Sequence, residues 1–131
     1  MHARRLYIGA AVVALALTAC VISLPPAAVV TDIGAVVGTY SGSLKEYGKT
    51  PRPANLTVRP DGSFELTTGG PDGFRTTGFI GLASDGTLVY QSGNDRNSRG
   101  RGVVYQGDGR RVIVLTSEDR SVVTQVERSA S

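Results

Sequence analysis

The chain has 131 residues, the size of one domain, with 14 Lys and Arg against 11 Asp and Glu, one cysteine (Cys20), one histidine (His2) and no tryptophan. A single cysteine excludes an internal disulfide. With one imidazole, at position 2, and one thiol, the usual Cys/His zinc sites and the Ser-His-Asp or Cys-His nucleophile systems lack their components.

The N-terminus reads Met-His-Ala-Arg-Arg and then "LYIGAAVVALALTAC". A short basic segment, an apolar core and small residues form the layout of a secretory signal, predicted over residues 1–19. Its end, Leu17-Thr18-Ala19-Cys20, resembles the lipobox of bacterial lipoproteins: an aliphatic residue, two small residues and a cysteine. The resemblance implies that the Cys20 sulfur receives a diacylglyceryl group and that the peptide is cut just before it. Val21, rather than Asp, resembles the following residue of lipoproteins sorted to an outer membrane, which implies an envelope protein facing the periplasm. An uncut anchor is the alternative, since residues 6–24 are uncharged and barely long enough to span a bilayer. Both readings export the downstream domain and tether it to a membrane. Removal of residues 1–19 takes Arg4 and Arg5 away and leaves the remaining basic and acidic side chains nearly balanced. The basic excess is therefore poor support for nucleic-acid binding, and no nucleic-acid partner is expected.

Residues 20–35 read as a lipidated tether, with Pro25-Pro26 breaking any helix that continues from the signal. Their apolar character leaves a second option, in which residues 29–37 pack onto the domain. From 36 to 131 an all-β domain is expected, built from short runs that alternate apolar and polar residues between turn signals. The predicted strands are "VVGTYSG" (36–42), "ANLTVR" (54–59), "SFELTT" (63–68), "FRTTGFIGLA" (74–83), "TLVYQS" (87–92), "GRGVVYQ" (100–106), "RVIVLTS" (111–117) and "SVVTQVE" (121–127). Asp61, Asp85 and Asp108 each precede glycine in the turns between alternate pairs, a repeat of one hairpin every 23 or 24 residues.

Eight consecutive antiparallel strands point to a meander, and closing it into a small barrel removes two exposed edges. A two-sheet sandwich is the alternative. Alternation places Leu56, Val58, Phe64, Leu66, Ile80, Leu82, Leu88, Tyr90, Val112, Val114, Val122 and Val126 inside. In a meander alternate turns lie at opposite ends. The tight Asp-Gly turns and both termini are then expected at one rim, and "KEYGKTPRP", "GGPDG" and "GNDRNSR" at the other.

No catalytic constellation, cofactor or metal site emerges, and a non-enzymatic role is expected. "YGKT" (47–50) has Ser43 where a phosphate-binding loop needs glycine, and Pro51 opposes the helix that should follow. The aspartates before glycine fit turn roles. Arg96, Arg99 and Arg101 can grip anionic groups with guanidinium forks, and they oppose calcium at Asn94, Asp95 and Asn97.

Gly38-Thr39-Tyr40 on the first strand is similar to the Gly-x-Trp that opens lipocalin-type barrels. That likeness implies a closing role for Tyr40 at the barrel floor, with Arg128 or Arg110 packed over it. Tyr replaces Trp, the domain is shorter and no C-terminal helix follows. The leading expectation is an envelope lipoprotein, anchored through Cys20, whose β-domain binds an envelope protein through the long-loop rim. Tyr47, Arg96 and Arg99 are the candidate contact residues, over a filled interior. A lipocalin-like carrier of a small apolar ligand is the alternative, and a hydrolase with an unrecognised carboxylate site comes third.

Overall fold

The structure, a computed structural model, describes residues 24–93 and 98–129. Nine strands follow one another: β1 (Ala27–Ala28), β2 (Gly38–Glu46), β3 (Arg52–Val58), β4 (Ser63–Thr68), β5 (Arg75–Leu82), β6 (Leu88–Ser92), β7 (Arg99–Gly107), β8 (Arg110–Ser117) and β9 (Val122–Arg128). Each of β2 to β9 pairs antiparallel with the next, and β9 returns to β2 from Tyr40↔Arg128 to Glu46↔Val122. The meander is a closed eight-stranded barrel, not a sandwich. Closure leaves no edge among β2–β9. β1 lies outside the ring, on the part of β7 that overhangs β6: Ala27↔Tyr105 and Ala28↔Val104 lie beyond the last β6 pair, Leu88↔Gly102.

Alternation fills the barrel. Tyr40, Leu44, Leu56, Val58, Phe64, Leu66, Ile80, Leu88 and Val126 point inward and are buried, while Leu82, Tyr90 and Val122 are half-buried against them. On β8 the phase differs from expectation. Ile113 and Leu115 belong to the core, Val114 is half-buried, and Val112 is buried outside the core cluster. Four successive apolar residues carry no phase of their own; the register Val104↔Ile113 and Leu115↔Thr124 sets it. The first barrel strand also shifts from 36–42 to Gly38–Glu46, because its partners extend to Leu44↔Arg52 and Glu46↔Val122. Residues 36 and 37 leave the strand, and Val36 closes a 3-10 turn, Ile33–Val36.

Eight short strands bend sharply to close, and glycine sits where neighbouring backbones approach. A Cβ on Gly42 would lie 2.0 Å from the Gln125 carbonyl oxygen, and one on Gly78 would lie 2.1 Å from that of Gln91.

The segment before the barrel packs against it, the second of the two options the sequence leaves open. The Val30 N–H donates to the Gly86 carbonyl (3.0 Å), the Gln106 N–H donates to the Pro26 carbonyl (2.9 Å), and Val30 and Val36 are buried in the core cluster. The chain therefore enters at the tight-turn rim. It leaves there too, where the Ser129 N–H donates to the Thr39 carbonyl (2.9 Å). Among the described residues no helix is long and apolar enough to cross a membrane.

The expected repeat of Asp-Gly turns resolves into two devices. Asp61 accepts both the N–H and the hydroxyl of Ser63 (2.9 and 2.6 Å), and Asp85 treats Thr87 in the same way (3.1 and 2.6 Å). Asp108 does not share this pattern: with φ 53° and Gly109 at 76° it forms a two-residue hairpin turn. The third copy of the Asp61 device lies at the opposite rim, where Asp119 accepts from Ser121 N–H and hydroxyl (3.0 and 2.7 Å).

Candidate functional site

On the outer wall, from β5 and β6 across β7 to the 118–120 turn at the long-loop end, runs an open groove of about 1060 Å³. Cross-strand register builds its floor. Phe79↔Gln91↔Arg99 form one outward row and Gly81↔Val89↔Arg101↔Thr116 the next. Phe79 is 66% exposed, an unusual position for a large aromatic side chain, and Val89 is exposed beside it. Arg99, Arg101 and Arg120 line the groove together with one acidic residue, Glu118.

Four arginines elsewhere on the barrel wall are paired with carboxylates, whereas Arg111 and Arg128 form no salt bridge among the described residues. Arg52 meets Glu46 (3.6 Å), Arg59 meets Glu65 (4.0 Å), Arg75 also pairs with Glu65, and Arg110 meets Glu127 (2.7 Å). The Arg110 guanidinium holds the Glu127 carboxyl below its ordinary range. Arg99, Arg101 and Arg120 form no salt bridge among the described residues. Arg120 also holds the left-handed conformation, φ 64°, at the position filled in the sister turns by Gly62 (φ 85°) and Gly86 (φ 84°). For a side chain with a Cβ that conformation is strained, about 1–2 kcal/mol.

Inside the barrel at the same end lies a second space of about 170 Å³, so the expected filled interior is incomplete. Leu44, Phe64, Leu66, Phe74 and Leu115 form its walls, and Ser92, Ser117, Asp119 and Thr124 stand around its mouth. The Ser117 hydroxyl donates to Asp119 (2.8 Å) and accepts from the Val122 N–H (3.0 Å). Hydrogen bonds from the Ser121 backbone and hydroxyl, and then from Ser117, lower the Asp119 pKa from 3.8 to about 2. Tyr90 lines both spaces. It meets Phe64 edge-on at 6.3 Å, and burial, with Asp119 nearby, raises its pKa.

Of the sequence candidates, Arg99 is in the groove. Tyr47 is 87% exposed in the β2–β3 loop, where its N–H donates to the Ser121 carbonyl (2.7 Å), and it does not line the groove. Arg96 and Cys20 lie outside the described residues. Tyr40 is fully buried toward the tight-turn rim, where its hydroxyl donates to the Val36 carbonyl (2.7 Å) and Arg128 is its cross-strand partner. Burial raises its pKa, against a pull downward from Arg111 and Arg128. Arg110 is on the outside with Glu127. Phe79, Val89 and Arg120 were not singled out from sequence. Alternation with Ile80 and Leu82 already sends Phe79 outward, and that signal was available.

Among the described residues no group of three His, Cys, Asp or Glu side chains could hold a metal. No protein-family model, curated protein or solved structure matches this chain.

Proposed function

We propose that this protein is an envelope lipoprotein, anchored through Cys20, whose barrel binds an acidic segment of a partner protein in the Phe79 groove. The observation that carries the reading is the convergence in one groove of three arginines that form no salt bridge among the described residues with an exposed phenylalanine and a single carboxylate, Glu118. Guanidinium forks match carboxylates in pairs, and Phe79 supplies an apolar anchor at the β5 side of the groove. Strain held at Arg120 supports a role in binding, since a relaxed turn needs only glycine there. The interior space is too small for a drug-sized ligand, whose pockets ordinarily have about 300–1,000 Å³.

The test uses the full-length protein in detergent and a fluorescent glutamate-rich peptide containing one phenylalanine. Saturable binding that weakens about tenfold in Arg99→Ala/Arg101→Ala, and not in Arg75→Ala, is the expected result. Equal losses in both variants would reduce the effect to bulk charge, and binding of dextran sulfate in preference to the peptide would overturn the choice of partner. Anchoring is tested separately: Cys20→Ser should move the protein from the membrane fraction to the soluble one, and intact mass should show the added diacylglyceryl group.

A further inference from the structure

The space inside the barrel mouth differs in charge from the groove a few residues away. Among the described residues no lysine or arginine lines it, and its charged lining residues are Glu46 and Asp119. Glu46 is engaged by Lys49 (3.5 Å) and Arg52 (3.6 Å), whereas Asp119 meets no cation among the described residues. Below this carboxylate the walls are aromatic and aliphatic: Phe64, Phe74, Leu66, Leu115 and Val122. One barrel end therefore presents a cationic wall outside and an anionic lip over an apolar well inside, with Tyr90 lining both.

We propose that this well is a binding site for a small organic ammonium, a compact aromatic or branched body carrying one protonated amine. Size, charge and polarity agree on that class. A cavity of 170 Å³ is slightly larger than an apolar cavity of about 150 Å³ that accepts benzene, so a single ring with one or two further atoms fits. The ring occupies the apolar walls, and the ammonium at the lip faces the Asp119 carboxylate and the Ser92 and Ser117 hydroxyls. Thr76 adds a further group. It lines the well, is 6% exposed, and its hydroxyl has no hydrogen-bond partner among the described residues. A turn about χ1 exchanges its methyl and hydroxyl groups and offers the ligand an acceptor that is otherwise unused. An anion is disfavoured at the same lip. The site does not depend on the outer groove, and neither reading falls with the other.

Benzylammonium, benzyl alcohol and benzoate are the probes, titrated into full-length protein in detergent while the Leu66, Leu115 and Val122 methyl signals are followed by NMR. Benzylammonium should shift those methyls saturably, benzyl alcohol should bind about fivefold more weakly, and benzoate should not bind. The factor is that of an ion pair at an exposed lip. Asp119→Asn should bring benzylammonium down to the alcohol's affinity and leave the alcohol unchanged. Should that variant fold poorly, Val122→Phe, which fills the mouth, should abolish both. Equal affinity for all three probes, an unaltered preference in Asp119→Asn, or no saturable shift of these methyls would overturn the proposal.

Discussion

At Arg120 one backbone angle sets stability against the proposed binding. Its turn repeats those of Asp61-Gly62-Ser63 and Asp85-Gly86-Thr87, with arginine at the left-handed position. Arg120→Gly should therefore raise stability by about 1 kcal/mol, read as a higher urea midpoint at unchanged slope, while weakening the acidic peptide. Loss of stability would show that the guanidinium has structural work. The same turns govern acid sensitivity. Asp61, Asp85 and Asp119 are held below their ordinary 3.8 by hydrogen bonds from the residue two positions on, Ser117 adding to the set at Asp119. The folded-state values are depressed, so the unfolded chain takes up protons first as pH falls. Their contribution is complete above pH 3.8 and is lost as pH drops toward about 2, where folded Asp119 protonates. The urea midpoint should fall across that window, and a variant with all three changed to asparagine should fall less steeply. Tyr40→Phe should cost about 1–2 kcal/mol, because it removes the 2.7 Å donor to the buried Val36 carbonyl.

At the scale of elements, strand identity was legible because Leu56, Val58, Phe64 and Leu66 alternate with polar neighbours, and Pro-Asp-Gly marks the turn between them. The phase of β8 was not legible in "VIVL", since apolar residues at every position fit either face. Neither was the docking of Pro25 to Val36, because an apolar stretch beside prolines suits a tether and a packed segment alike. The groove was half legible: arginines at 99 and 101 were visible, but their convergence with Phe79 depends on which residues oppose one another across β5, β6 and β7. Barrel closure makes its own demand on β5. Gly78→Ala should destabilise by about 3 kcal/mol, since the added carbon meets the Gln91 carbonyl and the strand must move. Thermal unfolding followed by circular dichroism checks this, and a loss below 1 kcal/mol would mean that the corner is looser than its contacts imply.

The molecule as a whole is polar in the sense of a rod with two unlike ends. Chain entry and exit, the tight turns and the Val30–Val36 cover occupy one end, and the interior well and the 118–120 side of the groove occupy the other. Pro25 already sits against Gly107, and only four residues, five Cα–Cα steps, separate it from Cys20. Fully stretched, that leash spans at most about 18 Å. If Cys20 is acylated as proposed, the barrel would stand close over the lipid headgroups with its open end upward and would search only its own patch of bilayer. Whatever it captures must come to the membrane surface. Splicing a long Gly-Ser stretch after Val21 should then change which distant envelope proteins can be cross-linked to it, while leaving its affinity for the free peptide untouched.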